Sequence, residues 1–119
     1  MYETIPVMCL DRWLESGFNG RIVDLRDAKS FQQSHLCTAE NIPYERFKED
    51  PALALPQLTW EQPILFYCGR GSESMLVCNY YDRRGYQVYN LGGGYRFYRG
   101  KYAESTQNEN RIDRTKKVN

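Results

Sequence analysis

A chain of 119 residues with 41% hydrophobic content has room for one domain with a modest buried core and too little for two. Lys and Arg number 16 against 15 Asp and Glu, and with five of those bases and three of those acids lying between Lys101 and Asn119, the body carries 11 basic against 12 acidic residues. That balance excludes a nucleic-acid surface, which needs clustered positive charge to displace phosphate counterions, and the ten tyrosines are scattered as packing and surface anchors rather than gathered into an RNA-binding signature.

The first sixteen residues, MYETIPVMCLDRWLES, carry acidic side chains early and no long apolar run. They resemble neither a secretory signal nor a membrane span, so a cytoplasmic protein with no membrane partner is expected. In that reducing compartment Cys9, Cys37, Cys68 and Cys78 are expected to stay unpaired. They form no CxxC pair, and the single histidine, His35, lies two residues from Cys37, so no metal is expected either.

Pro6 is placed in the first turn of a helix over about 7–16 that ends at Gly17, with Leu10, Trp13 and Leu14 on one face. RIVDL (21–25) reads as a buried strand, and 27–35 as a short helix capped by Asp27. AENIP (39–43) is a brief strand stopped by proline. Pro51 and Pro56 break 44–60 into short helices and loop. PILFY (63–67) is an unbroken apolar run, as expected for a strand covered on both faces.

A helix is predicted over about 72–84, with Met75, Leu76, Tyr80 and Cys78 toward the sheet and Gly85 as its stop. YQVYNL (86–91) gives another strand, and GGG (92–94) a turn into the aromatic YRFYRGKY. From 104 to 119 the chain lacks aromatics and reads as a disordered tail after a domain spanning 1–103. The alternation of strands and helices predicts an α/β fold with a mostly parallel central sheet and helices on both faces.

Cys68 stands at the carboxyl end of the strongest strand, where open α/β sheets place ligands. Gly69 and Gly71 let the backbone curl so that amide N–H groups converge above the sulfur, and the following helix adds the positive end of its dipole. Such a cradle lowers a cysteine pKa from about 8.5 into a range of roughly 3.5–7.5 and equips the thiolate to attack an electrophilic sulfur, phosphate or arsenate.

Three segments resemble the single-domain rhodanese-like sulfurtransferases. RIVDLRDAKSFQQSHLCTAENIP is similar to the family's early strand, helix and turn through Asp24, Arg26, Phe31, His35, Ala39, Asn41 and Pro43. YCGRGSES resembles its active-site loop, with Cys68 at the nucleophile position, Gly71 at the loop glycine and Ser74 at the helix-opening serine. NLGGGYRFY is similar to its closing segment through Leu91, Gly93 and Gly94, with Tyr98 where tryptophan is usual.

The resemblance implies transfer of a sulfane sulfur through a Cys68 persulfide, from thiosulfate or a persulfide donor to a thiol or cyanide acceptor. It implies no cofactor. The backbone N–H groups from Gly69, Arg70, Gly71, Ser72, Glu73 and Ser74 would hold the persulfide charge. Asp24 and Arg26 are expected to brace the strand end, His35 to serve as a structural hydrogen-bonding group, and Cys9 and Cys78 to pack. Cys37 reads as a turn residue or a resolving thiol.

The departures from the family pattern bear on the donor. Glu73 stands where the loop usually has arginine, and against a dianion about 5 Å away at an effective dielectric near 20 it repels by a few kcal/mol before screening. Arg70 compensates only if it turns inward, so thiosulfate is not fixed as the preferred donor. Ser34, Cys37 and Thr38 replace the usual glycine, proline and glycine of the turn around His35. A cysteine phosphatase would need arginine six positions after the nucleophile, where this chain has Ser74. The remaining alternative is a rhodanese-fold module that carries or senses persulfide, or binds a protein, with little small-molecule turnover.

Overall fold

The computed structural model describes residues 1–106. Among them run the strands β1 (Glu3–Pro6), β2 (Arg21–Asp24), β3 (His35–Leu36), β4 (Glu40–Asn41), β5 (Ile64–Tyr67), β6 (Val88–Gly92) and β7 (Ala103–Glu104). The α-helices are α1 (Leu10–Glu15), α2 (Ala28–Gln33), α3 (Tyr44–Glu49), α4 (Pro51–Ala54) and α5 (Ser72–Arg83), with 3-10 turns at Val7–Cys9 and Tyr95–Phe97.

Five strands form one sheet in the order β1, β6, β5, β2, β4, and every pairing in it is parallel. β5 lies at the centre with all four residues buried. Its side chains alternate between two cores, as the period of a strand requires. Ile64 and Phe66 pack with Phe47, Ala54, Val77 and Tyr81 from α3, α4 and α5. Leu65 and Tyr67 pack on the opposite face with Leu10 of α1, Leu36, Tyr95 and Tyr98. The expected α/β architecture, with helical elements on both faces of a parallel sheet, is the one found. No helix among the described residues is long and apolar enough to cross a membrane.

The expected strands at 21–25, 39–43, 63–67 and 86–91 correspond to β2, β4, β5 and β6. Asp27 caps α2 as anticipated, its carboxylate accepting from the Ser30 amide at 2.8 Å. Four details differ from the sequence reading. Pro6 does not begin a helix but closes β1, an edge strand parallel to β6, where its missing N–H costs no ladder bond. Cys9 is exposed in the 3-10 turn rather than packed.

The inward face of α5 is Ser74, Val77, Cys78 and Tyr81, while Met75 and Leu76 are 49% and 61% exposed. The helix is turned so that the polar Ser74 faces in, because the sulfur of Cys68 and the buried Asn90 supply its hydrogen bonds. Finally, antiparallel pairing of β7 with β3 takes in Glu104, the first residue assigned to the tail, opposite His35. Ser105 of that tail donates its hydroxyl to the Gln32 carbonyl at 3.4 Å, and the tail from residue 107 lies outside the described residues.

Candidate active site

Cys68 follows β5 directly and is 1% exposed. The chain then reverses through Gly69 and Arg70 to Gly71, whose φ of +96° lies in the left-handed region and makes it the N-cap of α5. No side chain caps that helix. The sulfur takes this place: the amides of Gly71 and Ser74 donate to Sγ at 3.0 and 3.4 Å. Two N–H groups and the positive end of a twelve-residue helix therefore converge on one thiol, the arrangement that stabilises a thiolate.

The Ser74 hydroxyl completes the inner side of the cradle. It lies 3.5 Å from Sγ, 3.2 Å from the Gly71 carbonyl oxygen and in a short hydrogen bond with Oδ1 of Asn90 on β6. Asn90 is 2% exposed. Sequence reasoning passed over it, although an asparagine within an otherwise apolar-aromatic strand is the mark of a buried polar partner.

The loop is clamped from outside its own sequence. Tyr95 and Arg96 donate their amides to the carbonyl oxygens of Cys68 and Gly69 at 2.9 and 3.2 Å. The glycine run read as a simple turn is what allows this approach. A Cβ on Gly94 would stand 2.2 Å from the Gly69 carbonyl oxygen, and its φ of +82° is strained for any other residue.

At the end of β2, Asp24 is fully buried and pairs with Arg26 at 2.8 Å. Arg26 also donates to the Ser34 carbonyl and lies 4.5 Å from the Tyr95 ring centroid. Burial works against its charge, yet the Asp24 carboxylate outweighs that and raises its pKa. The expected bracing role for the pair is thus seen in the geometry. His35 likewise makes a structural bond, through Nδ1 with the Phe31 carbonyl at 2.7 Å, and its ring stacks on Phe31.

Of the other loop residues, Arg70 and Ser72 are exposed and Glu73 is half-buried in the first turn of α5. Arg70 therefore does not turn inward over the sulfur. Among the described residues the side chains of Arg70 and Glu73 make no hydrogen bond or ion pair. Cys78 is buried as expected, and burial pushes its thiol pKa up. Cys37 is half-buried, and burial together with the neighbouring Glu104 carboxylate raises its pKa as well. All four cysteines are free. Among the described residues no group of three or more His, Cys, Asp and Glu side chains converges where a metal could sit.

A family model described as a rhodanese-like domain matches residues 9–101. The chain is 29% identical over 90 residues to the thiosulfate sulfurtransferase GlpE of Coxiella burnetii, covering 75% of this chain and 80% of that protein. It is 28% identical over 87 residues to the protein of the same name from Pseudomonas aeruginosa, covering 72% and 76%. The crystal structure of a rhodanese-like domain protein from Staphylococcus aureus superposes with a TM-score of 0.71 at 20% identity, over 87% of this chain and 97% of that one.

Proposed function

The chain belongs to the rhodanese-like domain family, and from that premise we propose that it is a sulfurtransferase working through a Cys68 persulfide. The observation that carries the proposal is the convergence of the Gly71 and Ser74 amides on Sγ at the start of α5. In the first step the Cys68 thiolate attacks the outer sulfur of the donor. A bond forms between Sγ and that sulfur as the donor's own sulfur–sulfur bond breaks, and the electron pair leaves on sulfite or on the donor thiolate.

The charge of the resulting persulfide rests on its outer sulfur, within reach of backbone N–H groups between Gly69 and Ser74. An acceptor thiolate or cyanide then attacks the outer sulfur, takes it, and returns Cys68 to the thiolate. The step needs neither oxidant nor cofactor, because one sulfane sulfur is exchanged between two nucleophiles. The thiol of Cys68, the loop amides and the closing segment at Tyr95 and Arg96 are the working parts; Arg70, Ser72 and Glu73 form the rim a donor meets.

A second reading, a persulfide carrier or protein-binding module with little turnover of small molecules, is favoured by one observation. The rim presents the half-buried carboxylate of Glu73 beside an outward-facing Arg70, which suits a protein persulfide better than free thiosulfate. Mass spectrometry of the intact, reduced protein separates these. After incubation with thiosulfate, or with a low-molecular-weight persulfide, the proposal expects the gain of a single sulfur atom that is lost in Cys68→Ser. Loading by persulfide alone shows that the rim excludes thiosulfate, and transfer of that sulfur to cyanide or an added thiol over many turnovers then separates a transferase from a carrier. No loading of folded protein by either donor overturns the sulfurtransferase and carrier readings and leaves the protein-binding module.

A further inference from the structure

The Ser74 hydroxyl has one proton and three neighbours that compete for it or for its lone pairs. Asn90 Oδ1 and the Gly71 carbonyl oxygen only accept; the Cys68 sulfur donates as a thiol and accepts as a thiolate. The shortest contact is with Asn90. With its proton on Asn90, the Ser74 oxygen turns a lone pair toward Sγ, 3.5 Å away. That suits a thiol. Against a thiolate the same lone pair is repulsive, and Ser74 improves the contact only by swinging its proton to sulfur, which leaves a 2% exposed Asn90 oxygen without its donor.

We propose that Asn90 is a positioning residue that sets the ionisation of Cys68 by holding the Ser74 proton away from the sulfur. Two amides favour the thiolate, and the Asn90–Ser74 pair opposes them. The opposition ends once charge leaves Sγ: in a persulfide the charge lies on the outer sulfur, so Ser74 keeps its bond to Asn90. The pair thus disfavours the free thiolate more than the loaded form. That last consequence rests on the sulfurtransferase reading; the effect on ionisation does not.

The charged and titratable groups on the elements packed around the sulfur are Arg70, Glu73, Cys78, Tyr80, Tyr81, Asp82 and Arg83 on the loop and α5, Tyr67 on β5, Tyr89 on β6, Asp24 and Arg26 at the end of β2, and Tyr95 and Arg96 of the closing turn. A change at Asn90 alters none of them. The experiment is the pH dependence of Cys68 alkylation by iodoacetamide, read at the Cys68 peptide by mass spectrometry. It compares the full chain with Asn90→Leu, Asn90→Ala, Ser74→Ala and the Ser74→Ala/Asn90→Ala double variant, each checked for folding by circular dichroism.

Release of the Ser74 proton to the thiolate lowers the alkylation midpoint in both Asn90 variants by about half to one pH unit, so that below the midpoint the rate rises roughly three- to tenfold. In the Ser74→Ala background the Asn90 change adds no further shift. Altered access to the sulfur changes the plateau rate and leaves the midpoint in place. A midpoint that stays or rises in the Asn90 variants, an equal fall in the Ser74→Ala background, or failure of both Asn90 variants to fold overturns the assignment. Because the readout is ionisation, it is decided separately from whether thiosulfate or persulfide loads Cys68.

Discussion

The phenol oxygen of Tyr67, on the central strand, accepts the backbone amide of Leu36 at 3.0 Å. Both residues are fully buried. One hydroxyl therefore ties the sheet beneath the reactive loop to the β3–β7 ribbon, and Tyr67→Phe strands the Leu36 N–H in an apolar core. The variant should lose about 1–3 kcal/mol of stability, measured by urea unfolding.

Gly94→Ala sets a methyl group against the Gly69 carbonyl oxygen, 2.2 Å away, and adds strain at a φ of +82°. The loop must move. The rate of Cys68 alkylation or sulfur loading should fall by about tenfold or more in protein that still folds. Gly17→Ala is the control: it shares a left-handed φ of +110° but meets open space, so it should cost stability and leave Cys68 reactivity intact.

Thr38 holds a φ of +68°, a left-handed conformation that a β-branched side chain adopts only under strain. Thr38→Gly removes that strain at the expense of a freer unfolded chain. The net expectation is a gain of up to about 1 kcal/mol, seen as a higher urea midpoint.

Glu73→Gln removes a carboxylate from the rim. If a thiosulfate dianion approaches there, its loading rate should rise by roughly three- to tenfold at low salt, and the advantage should shrink as ionic strength increases. Loading from a monoanionic persulfide should change less. Stopped loading reactions analysed by intact mass give both rates.

Burial holds the Tyr81 phenol up at about 12, and it raises the phenols of Tyr67 and Tyr98 as well. Between pH 10 and these higher values the folded chain keeps protons that the unfolded chain releases. Stability is therefore full below about pH 10 and falls as pH rises through the tyrosine range. Urea midpoints at pH 8 and 9 should agree closely, and the midpoint at pH 11 should fall below both. Tyr81→Phe should lose part of the decline, alongside the bond from its hydroxyl to the Pro51 carbonyl at 3.0 Å.

The parallel sheet was legible because its central strand is a continuous apolar run, and the site was legible because a cysteine and two glycines follow that run. β1 was hidden because only Ile5 of its four residues is buried, so it shows no period. β3 and β7 are two residues each and exist through pairing across the chain. The rotation of α5 was misread for a chemical reason. Apolar Met75 and Leu76 look like core, but the inward position belongs to Ser74, whose partners, Cys68 and Asn90, lie 6 and 16 residues away in the chain.

The clamp on the reactive loop also sets an order of assembly. The carbonyl groups of Cys68 and Gly69 are held by the amides of Tyr95 and Arg96, so a growing polypeptide carries its cysteine well before it carries the residues that fix it. Edge strand β1 likewise waits for β6. During synthesis the cysteine and its loop precede the residues that clamp them, and the clamp closes only when residues 95 and 96 have emerged. Reactivity is thereby coupled to completion: a fragment ending before residue 95 keeps the nucleophile but not the clamp on the loop that cradles it.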